Sequence, residues 1–156
     1  MAGPNLSHAQ FVAKLVTEGC LRIAQGKLPE KMPVEAVIMT PEQKQKAGAH
    51  PQALAVFYPL GETGVFMQMR GSQARVWYNG EDCDDAVATL EQAIRRAFPA
   101  ATFLDQQTHP DGAHIHVRLY RVPITDARFI DVEATYPIER RERQQFVVRL
   151  HAKERT

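Results

Sequence analysis

Residues 108–121, Thr-His-Pro-Asp-Gly-Ala-His-Ile-His-Val-Arg-Leu-Tyr-Arg, constrain the fold more than any other stretch of the chain. Pro110-Asp111-Gly112 has the chemistry of a type I turn. The proline ring presets the first corner, aspartate suits the second, and glycine takes the left-handed position that follows. Beyond the turn, His114, His116, Arg118 and Tyr120 alternate with Ile115, Val117 and Leu119. A period of two belongs to a strand, and it sets the three apolar residues on a core and the four polar ones on the opposite face. The second half of the chain is therefore expected to build antiparallel sheet.

Strand patterns surround this hairpin, at residues 101–107, 113–122, 128–136 and 145–152, with Pro123 and Pro137 between them and a charged connector at 139–143. The first half opens on a helix. Ser7 and Gln10 form a capping box, Val12, Leu15, Val16, Cys20 and Ile23 recur at helical spacing, and Gly26 is the stop. A short strand at 34–40 follows. The polar stretch 41–51 reads either as a loop or as a surface helix begun by Thr40-Pro41. Strands at 53–60, 65–70 and 74–79 form a meander through turns at Gly61-Glu-Thr-Gly64 and Gly71-Ser-Gln. The first of these is apolar on both faces, which predicts a place near the middle of the sheet. A second helix starts in the carboxylates of 81–85, buries Val87, Leu90, Ile94 and Ala97, and ends at Pro99.

The expected fold is thus one α+β domain over residues 1–156. Two helices pack on a mostly antiparallel sheet in the order α-β4-α-β4. The order suggests a pseudo-repeat of elements, although the two halves share no residue-level similarity. Length agrees, since 156 residues can bury one sizeable core. The 19 basic and 18 acidic side chains leave a net charge of +1, so the chain as a whole is not drawn to nucleic acid or anionic membrane. No apolar run approaches the roughly 20 residues of a membrane span. The first residues lack the basic-then-apolar order of a signal peptide. Cys20 and Cys83 form no CxxC pair and read as reduced thiols, which points to a cytoplasmic protein.

Four kinds of chemistry were weighed. His114 and His116 share a strand face and, with His109 or Asp111 from the turn and Asp105, Asp131 or Glu133 nearby, could hold zinc or iron. Gly112-Ala-His114-Ile-His116 is similar to the start of the cupin metal motif, but Arg118, Leu119, Tyr120 and Arg121 stand where that motif needs a glutamate. His114-Ile-His116 also resembles half of a two-histidine phosphoesterase motif, and no second H-x-T/S accompanies it. Neither family is assigned. Cys83 near a helix start is surrounded by carboxylates that disfavour a thiolate. Arg118, Arg121, Arg140, Arg141, Arg143 and Arg149 could hold single-stranded nucleic acid, but the interleaved Asp131, Glu133, Glu139 and Glu142 favour cross-strand ion pairs instead. Phe66, Met67 and Trp77 crowd the meander as a candidate protein-binding face.

The balance favours a small cytoplasmic binding protein that acts without catalysis and without a cofactor. The class is an accessory, adaptor or inhibitor, of immunity or phage and plasmid accessory type. Its binding surface would include Phe66, Met67, Trp77, Arg118, Tyr120 and Arg149. Its partner would be another protein, with nucleic acid second, a homodimer as a further option, and no membrane. The alternative is a metal-binding protein or metal-dependent enzyme centred on His109, His114 and His116. Metal analysis separates the two. Stoichiometric zinc or iron, lost on changing His114 and His116 to alanine, decides for the metal, and its absence from purified protein leaves binding as the main case.

Overall fold

In a computed structural model the chain is described over residues 6–61, 63–80, 83–108, 115–137 and 144–154, by backbone alone at 80, 83, 84, 105–108, 115–119, 137, 144 and 145. The Pro110-Asp111-Gly112 turn, His109, His114 and the charged connector 139–143 lie outside the described residues. Eight strands make up the sheet: β1 (Val37–Ile38), β2 (Leu54–Leu60), β3 (Thr63–Arg70), β4 (Gln73–Gly80), β5 (Thr102–Thr108), β6 (Ile115–Pro123), β7 (Arg128–Pro137) and β8 (Gln144–Glu154). All their pairings are antiparallel, in the spatial order β1-β2-β3-β4-β8-β7-β6-β5. Two meanders therefore run inward from opposite edges, and their last strands meet in the middle. Tight connections make the first meander: Gly61 and Gly71 hold φ of +63° and +58°, which glycine reaches without a Cβ clash.

Three helices, rather than the two expected, occur among the described residues. The first, α1 (8–24), begins at the Ser7–Gln10 capping box and runs through a π-helical segment, Leu15–Cys20, before its last turn, Leu21–Ala24. The π segment inserts an extra residue per turn and rotates the apolar stripe. Leu21 is consequently buried in the core, while Ile23, expected on the stripe, is 44% exposed. The second helix, α2 (Pro41–Ala47), is the surface helix that the 41–51 stretch left open. Thr40 caps it with Gln43, proline takes its first turn, and Gly48 ends it at φ +76°. The third, α3 (Cys83–Ala97), buries Val87, Leu90 and Ile94 as expected, but Ala97 is exposed and Phe98 closes the stripe in its place.

Helices α1 and α3 pack on each other and on the same face of the sheet, α1 over β3 and β4, α3 over β7 and β8. Beneath them lies the main core, which takes alternate residues of the central strands: Val76 and Tyr78, Phe146 and Val148, Val132 and Ala134. The ring of Phe11 meets Tyr58 at 5.1 Å, and Tyr78 meets Phe146 edge-on at 5.8 Å. Burial pushes the Cys20 thiol up to about 12, so it packs as an inert apolar group, 3.8 Å from the Met67 sulfur.

Strand β2 corrects an expectation. It lies second from the edge, although both of its faces are apolar. One face meets α1. The other meets a smaller cluster of Met39, Ala49, Ala55, Trp77 and Val147, with Phe57 and Phe66 packed against it. The chain from Met39 to Ala49, α2 included, covers that side, so two-sided burial here comes from a helix on each face and does not require a central position. Gly64 belongs to the same packing. A Cβ at this position would run into the Tyr58 carbonyl oxygen and the Phe57 ring.

Trp77 is 1% exposed and its indole N–H donates to the Ala47 carbonyl at 3.2 Å. Trp77→Ala is expected to cost about 3–5 kcal/mol in urea unfolding, with the fold of the α2 side loosened. A variant as stable as the wild type would instead make Trp77 a surface anchor.

Candidate functional site

The face opposite α1 and α3 divides in two. Over β2, β3 and part of β4 it is covered by α2 and its flanks. Across the rest of β4 and over β8, β7 and the described end of β6 no helix of the described residues lies on it, and its exposed side chains are mostly polar and charged. Strand pairing arranges them in rows. Gln73, His151, Asp131 and Arg121 stand side by side across β4, β8, β7 and β6, and Arg75, Arg149 and Glu133 form the next row.

Asp131 organises the first row. It is 7% exposed, and Arg121 grips both its oxygens, from Nε at 2.9 Å and from Nη2 at 3.2 Å. Lys153 approaches to 3.3 Å, and the Arg121 guanidinium also sits 4.0 Å over the Phe129 ring. Burial alone would push the Asp131 carboxyl up. The hydrogen bonds and charges of Arg121 and Lys153 outweigh it and hold the group below the ordinary aspartate range. In the second row Glu133 lies 3.8 Å from Arg149, a looser pair between half-exposed side chains. The interleaved charges expected of this sheet are thus ion-paired at Arg121 and Arg149.

Beside these rows, where β3, β4 and β8 meet the loop after α2, is a cleft of about 210 Å³ lined by His50, Gln68, Arg70, Arg75, Arg149 and His151. Each part of it has a local cause. Arg70 and Gln73 are the last paired residues of a two-residue hairpin, so Arg70 stands at a sheet corner. The Gln68 side chain accepts the backbone N–H of His50 at 2.8 Å and ties the loop down. The His50 ring accepts the Gln52 backbone N–H on Nδ1 at 3.1 Å and sets Nε2 2.8 Å from Arg70 Nη1. Arg75 lies flat over Trp77, 4.1 Å from the ring centre, and donates to the Gly48 carbonyl at 2.6 Å. Its Nε–H is buried without a hydrogen bond. Burial, and next the charge of Arg149, lower the pKa of this guanidinium, so the two arginines sit within each other's field.

Of the residues singled out from the sequence whose side chains are described, Arg149 alone stands exposed on this face and in the cleft. Trp77 is buried, and Phe66 stacks on it at 5.4 Å under the α2 side. Met67 is on the other side of β3, half-buried against the main core. These three therefore do not form one exposed patch, because a short helix fills the place a partner would take. Tyr120 is 2% exposed within the main core and meets Phe103 edge-on at 5.8 Å. The expected alternation of β6 is thus reversed at its described end: Tyr120 and Val122 face the helices, and Arg121 faces outward. His116 and Arg118 lie an even number of residues from Tyr120 and pair with Tyr136 and Ala134, while Asp131 and Glu133 alternate onto the outer face. Among the described residues no three of histidine, cysteine, aspartate and glutamate come together as metal ligands.

His50, Arg70 and Arg75 escaped the sequence reading. The alternation of Ala74, Val76 and Tyr78 with Arg75 and Trp77 could have put Arg75 on the outer face. Nothing local brings it beside Arg149, because that depends on β4 pairing with β8.

The Asp131 cluster gives a pH-dependent prediction. A carboxyl whose folded pKa is depressed stabilises the fold above its unfolded value of about 3.8, and that contribution disappears as pH falls through the folded value. Asp131→Asn is expected to cost about 1–2 kcal/mol near pH 7. The gap to the wild type should persist to about pH 5 and close below about pH 4 in denaturant unfolding. A gap that is constant with pH would show that the charge is not what stabilises. No protein-family model matches the chain, and no curated protein or solved structure matches it either.

Proposed function

We propose that the protein acts by binding, as an accessory, adaptor or inhibitor that docks on another protein through the outer face of β8, β7 and β6, without catalysis. The observation that carries this reading is the asymmetry of the sheet. One face is sealed by α1 and α3, while the other offers a rigid antiparallel surface with Arg121, Lys153 and Arg149 set around Asp131 and Glu133. Side chains on paired strands lose little freedom when a partner covers them, and charge of both signs in fixed rows selects orientation. The Phe66–Met67–Trp77 patch drops out of the binding surface, and Arg149 stays in it.

The two halves are also read as a pseudo-repeat. Each is a helix followed by four strands that run from an edge to the centre, and α2 is an addition to the first half. Such a frame presents one continuous face built from both halves.

Thr135 is on the outer face toward one end of β7, between Val147 and Val117 in register. Thr135→Arg sets a long charged side chain there, whereas Arg96→Glu changes an exposed position of α3 on the far side. In affinity capture from host extract, a stoichiometric protein partner should be retained by the wild type and by Arg96→Glu and lost by a folded Thr135→Arg. A partner that Thr135→Arg keeps and Arg96→Glu loses would move the docking surface to the helices.

A further inference from the structure

We infer that the cleft between β3, β4, β8 and the loop after α2 is a binding site for a phosphoryl group, with Arg70, Arg75 and Arg149 as its cationic walls and His50 as a further donor. The inference rests on the cleft alone and stands whether or not a protein docks over the neighbouring strands.

Three features of the geometry point to an oxyanion. First, Arg75 and Arg149 are directly paired across β4 and β8, and like charges in register repel. Among the described residues the carboxylate within reach of either is Glu133, 3.8 Å from Arg149, so three described guanidiniums face one described negative charge in this corner. A single carboxylate ligand would leave that excess unmatched, and a phosphate dianion matches it. Second, hydrogen-bond donors gather here, and one of them has no partner. The His50 ring is held by the Gln52 N–H at Nδ1, and its Nε2 meets the Arg70 guanidinium at 2.8 Å, so Arg70 is fixed toward the cleft corner. The unmatched donor is the buried Arg75 Nε–H. Third, the groups are held in place. Arg75 is clamped between the Trp77 ring and the Gly48 carbonyl, and His50 is pinned by Gln68 and Gln52. A planar guanidinium fixed in this way can offer a paired set of donors to phosphoryl oxygens at small entropic cost. The cleft, at about 210 Å³, admits a phosphate with part of an attached group and is closed off by α2's flank, which suits a discrete phosphate ester better than a polyanion running across the sheet.

The test is a calorimetric titration with inorganic phosphate at constant ionic strength, with chloride as the control anion. Saturable binding at one site per chain is expected. Arg70→Gln/Arg149→Gln, which removes two exposed walls and leaves the Arg75 clamp intact, should weaken it at least about tenfold. In the unaltered protein, phosphate should protect Arg70 and Arg149 from phenylglyoxal, a readout that does not depend on a variant folding. Chloride matching phosphate, equal phosphate affinity in the double variant, or no protection of either arginine would overturn the site. Binding of a single-stranded oligonucleotide with a steep salt dependence, in the absence of saturable phosphate binding, would replace it with an extended nucleic-acid surface.

Discussion

The pairing of β4 with β8 is the contact on which the rest of the structure depends. It joins eight residues of one meander to eight of the other, from Gln73 opposite His151 to Gly80 opposite Gln144. Without it each meander would end on an open edge with its backbone groups unpaired and its apolar face half covered. With it, Val76, Tyr78, Phe146 and Val148 sit at the centre of one core, and α1 and α3 can lie side by side over both halves. The same pairing brings Arg75 beside Arg149, so the strands that complete the core also assemble the basic cleft on the opposite face.

The two faces of the sheet are held by different physics. On the helix side, burial of apolar surface dominates, and tyrosines 78, 120 and 136 are drawn in with their rings packed. On the outer side, order comes from pairing charges across strands. Asp131 shows how far this goes: a nearly buried carboxylate is kept ionised because Arg121 and Lys153 supply more than burial takes away. The short helix α2 divides this outer face. It converts Phe57, Phe66 and Trp77 into a second core and leaves the charged part beyond it open.

Much of the framework was legible locally. The Ser7 and Thr40 capping boxes, the glycine turns and the alternation within strands all act over a few residues, and helix and strand positions follow from them. The less legible features had non-local causes. The π segment rotated the stripe of α1 and exchanged Ile23 for Leu21. Apolarity on both faces of β2 reflected two covering helices rather than a central place. In β6, Tyr120 was counted with the polar residues, but its ring is large enough to be core, where it meets Phe103, so the face assigned to solvent was the wrong one at that end of the strand. Of the candidate site, Arg149 was expected on the binding surface as one of the arginines of the second-half strands. His50, Arg70 and Arg75 come from separate stretches that nothing in their neighbourhoods connects.

The amino-acid sequence by itself determined the elements, the antiparallel character of the sheet and the near balance of charge, because capping, turn chemistry and period are properties of neighbouring residues. Tertiary structure alone decided which face each strand buries, that Trp77 is core and Arg75 is not, and that three arginines and two histidines share one cleft. Those outcomes follow from which strands pair and where α2 settles. Pairing between distant strands is chosen by the burial of the whole apolar surface at once, which no short stretch of sequence records.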